Sequence, residues 1–412
     1  MSPIIPQAPW PDDWAGGCDC PDVTCDGDDL GEDELLECGP ARRFARAIRR
    51  RCEETAMPVT ENTVGATFER LRDMMGDIVP DFELLCKAEL VYQINQLKRE
   101  RDVVILGHNY MEPALYHGVA DHVGDSLELS RIAASAPQST IVFCGVRFMA
   151  ETARILSPDK TVLLPAKVAG CSLAASITAE DVRDLKRRYP GAPVVSYVNT
   201  YADVKAESDA CCTSSNAAAV IESFDAPMVI FLPDEYLAKN VARETNKRII
   251  FPTKDDRAAS SELEYALVGW SGRCEVHDQF KVSDIENVRR DFPDVRVLAH
   301  PECPPEVAQA ADFSGSTSAM IGYVRDVEAS RYLLLTECSM GDNIAAENPD
   351  KEMLRLCSVR CPHMREITLE DTLAALQKNQ YQIEVPEEIR VRAKRALDRM
   401  IGVNPKPAPS LS

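Results

Sequence analysis

One series of local signals occurs three times between about residues 85 and 380 of this 412-residue chain, and that recurrence limits the fold more than any other feature. In each copy an apolar strand runs into a polar tripeptide. Val103–Leu106 leads to His108-Asn109-Tyr110, Val194–Tyr197 to Tyr197-Val198-Asn199, and Val295–Ala299 to His300-Pro301-Glu302. A Ser/Thr-rich turn follows 16, 15 and 15 residues on, at Ser126, Ser214 and Thr317. A second strand comes next (Thr140–Phe143, Met228–Phe231, Tyr332–Leu335), and then a cysteine: Cys171, Cys274 and Cys361. The cysteines lie 28, 43 and 26 residues past those strands, the middle unit being lengthened by an insert near Lys247–Glu264. Helix-start signals follow at Thr178, Ser283 and Thr368, after 7, 9 and 7 residues. Any single match is ordinary α/β punctuation. Six features in one order, three times over, are not.

Strands alternating with helical segments indicate an α/β fold with parallel sheets. The spacing therefore predicts three pseudo-repeated α/β domains, at residues 81–182, 183–285 and 286–400. An N-terminal extension (1–80, an acidic Cys-rich tail plus a basic helix) precedes them, and a C-terminal tail (401–412) follows. Ligands of open α/β sheets collect outside the carboxyl ends of the strands. Three such ends about a pseudo-threefold axis would converge, each unit bringing one cysteine.

The net charge of −20 is unevenly spread, with eleven acids between Asp12 and Glu37 and no Lys or Arg before Arg42. Six arginines then follow from Arg42 to Arg51. An acidic chain repels phosphate backbones, so nucleic-acid binding is disfavoured. No apolar run approaches the roughly 18 residues of a membrane helix, and no basic or apolar leader opens the chain. A cytoplasmic location is expected. Fifteen cysteines without a leader, an odd number, do not suit a disulfide framework. Singly, most read as small buried hydrophobes. Those of the tail (Cys18, Cys20, Cys25, Cys38) sit among acids without histidine, which suits an adventitious or regulatory role better than a metal site.

The cysteine at each repeat reads differently. Closed zinc and iron–sulfur sites use four protein ligands. Three thiolates on a [4Fe-4S] cluster would leave one iron open to act as a Lewis acid. Four of the six histidines (His108, His277, His300 and His363) lie in or beside the repeated motifs. The hydroxyls of Ser126, Ser214 and Thr317, placed at helix starts, would suit an anionic substrate.

Several motifs together resemble the quinolinate synthase family. They include Gly107-His-Asn-Tyr110, Gly124-Asp-Ser-Leu-Glu-Leu-Ser-Arg131, Phe143-Cys-Gly-Val-Arg-Phe-Met-Ala-Glu-Thr-Ala153 and Gly170-Cys-Ser-Leu173. Tyr197-Val-Asn-Thr200, Thr213-Ser-Ser-Asn-Ala217, Gly272-Arg-Cys-Glu-Val-His277, His300-Pro-Glu-Cys303, Gly315-Ser-Thr-Ser318 and Cys361-Pro-His-Met364 follow in order. The resemblance covers about residues 85–400. It implies a triangle of three α/β domains around a [4Fe-4S] cluster, and the condensation of iminoaspartate with dihydroxyacetone phosphate to quinolinate, with loss of phosphate and water, in NAD biosynthesis. An L-aspartate oxidase would be the functional partner.

Carried onto this sequence, the resemblance implies Cys171, Cys274 and Cys361 as cluster ligands. Substrate contacts would be His108, Ser126, Tyr197, Asn199, Ser214, His300, Glu302 and Thr317. Tyr110 and His277 would lie beside the cluster. Glu302 is expected as a general base, with Tyr110 and the histidines His108, His277 and His300 moving protons. The extension before residue 80, the middle insert and the Cys357–Cys361 spacing depart from the family pattern. Rival readings are another cluster-dependent hydro-lyase and a zinc-stabilised scaffold without catalysis.

Overall fold

The computed structural model describes residues 63–252, 266–354 and 359–404. The tail cysteines, the arginine run, Cys357 and part of the middle insert lie outside them. Three parallel sheets form the body. The first comprises β1 (Val103–His108), β2 (His122–Gly124), β3 (Thr140–Cys144) and β4 (Thr161–Leu163), in the order β2-β1-β3-β4. The second comprises β5 (Val194–Tyr197), β6 (Ala210–Cys212), β7 (Met228–Leu232), β8 (Arg248–Ile250) and β9 (Ala266–Val268), in the order β6-β5-β7-β9-β8. The third repeats the first with β10 (Arg296–Ala299), β11 (Phe313–Ser314), β12 (Arg331–Leu335) and β13 (Glu352–Leu354), ordered β11-β10-β12-β13. The middle insert thus adds β8, an edge strand without counterpart in the other sheets. Every pairing between these thirteen strands is parallel.

Strands buried on both faces must be apolar throughout. β1 is buried at all six positions, and β5 at all four. In each sheet the first strand lies between the second and the third, so the chain leaves it in opposite directions on its two sides. That reversal opens a crevice at the carboxyl end of the first strand. His108, Tyr197 and the loop at His300 sit there.

An aspartate pins each first strand to its neighbour. Asp121, Asp209 and Asp312 accept from the backbone N–H of Ile105, Val194 and Val297, each at 2.8 Å. Their own N–H groups donate to the carbonyls of the same three residues, also at 2.8 Å.

The helices after the cysteines begin at Ala179, Val282 and Leu369. The middle one does not start at Ser283 as the sequence pattern suggested. Its N-cap is Lys281, whose N–H donates to the Asp284 carboxylate at 2.8 Å. Asp284 thereby takes the place of Asp181, which accepts from the Thr178 N–H at 2.9 Å. The corrected interval from cysteine to cap is seven residues in all three units.

The boundaries drawn at 182/183 and 285/286 fall inside Ala179–Arg188 and Val282–Asp291. Val182 and Leu185 pack with Val194 and Ile230 of the second sheet, and Ile285 with Val297 and Leu333 of the third. Leu369, Leu373 and Leu376, late in the chain, join the core of the first unit with Ile105 and Val142. The units therefore contact one another in a closed cycle. Two helices ahead of β1, Val64–Met75 and Asp81–Glu100, bury Leu71, Met75, Leu84, Val91 and Ile94 in that first core. The last helix, Glu387–Gly402, is anchored where Asn216 donates to the carbonyls of Met400 and Val403, both at 3.0 Å.

Candidate active site

One cavity collects the three strand ends, the three turns and the three cysteine loops. From the tripeptides His108, Tyr110, Tyr197, Asn199, His300 and Glu302 line it. The turns contribute Ser126, Ser214 and Thr317, and the loops Cys171, Cys274, His277 and Cys361. All the residues singled out in the sequence thus share one wall. No lysine or arginine is among the described lining residues.

Ser126 and Thr317 open ten-residue helices whose caps come from the residues before them. Asp125 accepts from Leu127 and Glu128 N–H, and Ser316 accepts from Ala319 N–H. Those caps leave the Ser126 and Thr317 side chains on the cavity wall, beside the positive end of a helix. Thr317 Oγ1 accepts from Asn109 Nδ2 at 2.9 Å. Ser214 lies in the turn before Ala217 rather than inside a helix.

The two strand-end histidines share one geometry. Nδ1 of His108 accepts from Tyr110 N–H at 3.2 Å, and Nδ1 of His300 from Glu302 N–H at 3.3 Å. A neutral imidazole whose Nδ1 accepts must carry its proton on Nε2. Burial drives both toward that neutral form, His108 down to about 4 and His300 to about 3, against the opposing pull of nearby carboxylates. Each is then an Nε2–H donor without a charge. For His300 that nitrogen is 3.4 Å from Ser214 Oγ.

Glu302 is the centre of the polar network. Its Oε1 accepts from Tyr197 Oη at 2.5 Å and from Asn199 Nδ2 at 3.4 Å, and its Oε2 faces His277 Nδ1 at 3.0 Å. Burial works to raise this carboxyl, but His277, His300 and the Tyr197 hydroxyl outweigh it and hold it at about 2. His277 stacks on His300 with ring centroids 4.6 Å apart. Its Nε2 lies 3.0 Å from Thr336 Oγ1, which is 2.6 Å from Tyr110 Oη. A hydrogen-bonded chain therefore runs Tyr110–Thr336–His277–Glu302. Burial, then Glu302, raise the Tyr110 phenol well above its usual range, so it keeps its proton.

The three cysteines are half-buried, and none of the nine described cysteines is in a disulfide. A repeated backbone bond sets each loop: Arg147, Glu235 and Cys338 N–H donate to the carbonyls of Ala169, Gly272 and Val359. The acceptor in each case is two residues before the cysteine. Burial pushes Cys171 up to about 12 and Cys361 to about 11, and Cys274 well above its usual value. Cys171 also feels Glu302 and Cys361, and Cys274 feels Glu302 and Cys171. Desolvated thiols raised further by neighbouring thiols and carboxylates form a donor set that a bound cation would relieve. Cys274, His277 and Glu302 also place ligand atoms within 4.8 Å of one another, a group able to hold a metal ion. Cys144, Cys211, Cys212, Cys303 and Cys338 are buried away from the cavity lining.

Sequence reasoning missed Thr336, Asp125 and Glu337. Thr336 has Gly145 and Pro233 at the matching positions of the other units, so repetition could not flag it. Glu337 and Asp234, both buried N-caps at one matched position, were detectable as an acid after the third strand of two units.

Acid–base side chains and thiols gathered outside the strand ends of parallel sheets define an α/β enzyme acting on a small organic substrate. The Quinolinate synthetase A protein (NadA) family matches residues 92–402. The chain belongs to the quinolinate synthase family. "Quinolinate synthase 2" of Mesorhizobium japonicum is 49% identical over 342 residues, covering 83% of this chain and 100% of that protein. "Quinolinate synthase" of Agrobacterium fabrum is 50% identical over 333 residues, 81% of this chain and 91% of that one. For the Xylella fastidiosa protein of the same name the identity is 51% over 310 residues, 75% and 86% of the two chains. Among the described residues no helix is long and apolar enough to cross a membrane.

Proposed function

We propose that this protein is a cytoplasmic quinolinate synthase, condensing iminoaspartate with dihydroxyacetone phosphate to quinolinate with loss of phosphate and water. The observation that carries this reading is a single cavity uniting three cysteines from three loops with neutral donors suited to an acidic substrate. Iminoaspartate is the product of aspartate oxidation, so an L-aspartate oxidase is the proposed functional partner.

Cys171, Cys274 and Cys361 would hold a [4Fe-4S] cluster. When bound, such a cluster supplies an iron without a protein ligand, a Lewis acid for substrate oxygen or nitrogen. The chain's own residues do the rest. Anionic groups are met by the Nε2–H donors of His108 and His300, by the hydroxyls of Ser126, Ser214 and Thr317, and by Tyr197 and Asn199. With no Lys or Arg among the described lining residues, the phosphate is met by neutral donors and helix ends, which lets it depart once cleaved.

Both oxygens of Glu302 are occupied, so its part in proton transfer goes through His277 rather than by direct attack on a substrate proton. Glu302 holds the Nδ1 proton of His277 and leaves Nε2 a lone pair toward Thr336. Tyr110, at the far end of that chain, gives and retrieves protons at the substrate during isomerisation and dehydration.

The deciding experiment is anaerobic incubation of purified protein with iminoaspartate and dihydroxyacetone phosphate. Quinolinate and inorganic phosphate in equal amounts are expected. Absence of quinolinate from protein carrying iron and acid-labile sulfide would reject the reading; zinc in place of iron would favour a scaffold.

A further inference from the structure

Two buried asparagines occupy matched places in the second and third units. Asp234 and Glu337 cap the helices Glu235–Glu244 and Cys338–Glu347. Six residues past each cap stand Asn240 and Asn343, 8% and 2% exposed. Both reach into a neighbouring unit. Asn343 Nδ2 donates to the carbonyls of Asn109 at 3.2 Å and Met111 at 2.8 Å. Asn240 Nδ2 donates to the carbonyls of Pro301 at 2.8 Å and Cys303 at 3.4 Å.

The accepting carbonyls flank one residue in each case: Tyr110 for Asn343, and Glu302 for Asn240. An amide nitrogen carries two hydrogens in one plane. Bridging the carbonyls of the residues before and after a central residue ties down the peptide plane that precedes it and the plane beyond its neighbour, so the short loop that carries its side chain is held at both ends. Each amide does so while its own Oδ1 is buried without a partner among the described residues. An orphaned acceptor is a cost that an apolar side chain of the same size would avoid, so the amide is present for its two donors.

We infer that Asn343 and Asn240 are positioning residues for the reaction, aiming Tyr110 and Glu302 from the next unit in the cycle. The inference rests on the roles proposed above for Tyr110 and Glu302. The first unit makes an analogous contact, since the Glu151 carboxylate accepts from Ala202 N–H at 2.9 Å, just past the Tyr197–Asn199 loop. Across-unit packing thereby sets catalytic geometry, which is why a shift of about 1 Å here is costly to turnover.

The test is a pair of double-mutant cycles on the anaerobically reconstituted full chain. Asn343→Ala is expected to lower kcat about tenfold or more, with KM and iron content close to those of the parent. In a Tyr110→Phe background the same change should have almost no further effect, because the residue being aimed has lost its reacting group. Asn240→Ala should behave likewise against Glu302→Gln. Losses that multiply in the doubles, or an undiminished kcat in both single Asn variants, would overturn the positioning role alone. Normal turnover in Tyr110→Phe and Glu302→Gln would instead overturn the reading of the site, and the positioning role with it. Should the Ala variants fail to fold, Asn343→Asp keeps the shape with one donor when neutral. An intermediate kcat is then expected, and full activity would overturn the inference.

Discussion

His277 Nδ1 lies 3.0 Å from Glu302 Oε2, although the two residues reach each other from different units. His277 follows Cys274 in the second, whereas Glu302 ends the tripeptide after β10 in the third. A buried carboxylate against one imidazole nitrogen sets the tautomer and leaves the other nitrogen free to accept a proton. The pair is thus a device made by the contact between units and by neither alone.

Replacing Glu302 by Gln tests that device. The amide still fills the space, but it cannot hold the Nδ1 proton of His277 as a carboxylate does. Turnover is expected to fall roughly 100-fold or more, with iron and sulfide per chain unchanged. Near-normal activity would remove Glu302 from the proton chain.

Thr336→Val cuts the same chain at its middle while keeping side-chain volume. Tyr110 Oη and His277 Nε2 are themselves 3.5 Å apart, the long limit of a hydrogen bond, so the direct path left without the hydroxyl is a weaker relay. A drop in kcat of about tenfold to 100-fold at nearly constant KM is expected from steady-state kinetics. A rise in KM with kcat intact would point to substrate binding instead.

Metal content separates the cysteines. Cys171→Ser, Cys274→Ser and Cys361→Ser should each lose most iron and sulfide after anaerobic reconstitution. Cys303→Ala and Cys338→Ala, buried off the cavity lining, should retain both. Full iron in any of the first three would exclude that residue as a ligand.

Stability should fall on the acid side of neutrality. His108 and His300 have folded values near 4 and 3, below the 6.5 of an exposed histidine, so the unfolded chain binds more protons between these limits. Stability is then full above pH 6.5 and declines as pH drops toward the folded values. The decline is roughly 1.4 kcal/mol per histidine for each pH unit. Glu337, pushed up to about 7 by burial, acts in the opposite sense and offsets part of this between 4.5 and 7. Urea midpoints at pH 7.5 and 5.5 report the net effect. A steeper pH dependence in a His108→Gln/His300→Gln double variant than in the parent would contradict it.

Much of the site was legible because strand ends, turns and cysteines are local features at repeated intervals. Residues such as His300 and Thr317 announce themselves by position in the repeat. Thr336 did not, having no counterpart at Gly145 and Pro233. Ser283 misled because a Ser-x-x-Glu pattern mimics a cap. The helix start is set instead by the Cys274 loop seven residues upstream of Lys281.

Taken alone, the order of residues determined which strands form and which side chains stand at their carboxyl ends, since both follow from backbone periodicity over a few residues. Only the tertiary structure decided that His277 meets Glu302, that Asn343 brackets Tyr110, and that Leu373 closes the cycle onto the first core. Those contacts join residues 25 to more than 230 positions apart, and the register between packed units that creates them leaves no periodic trace in the chain.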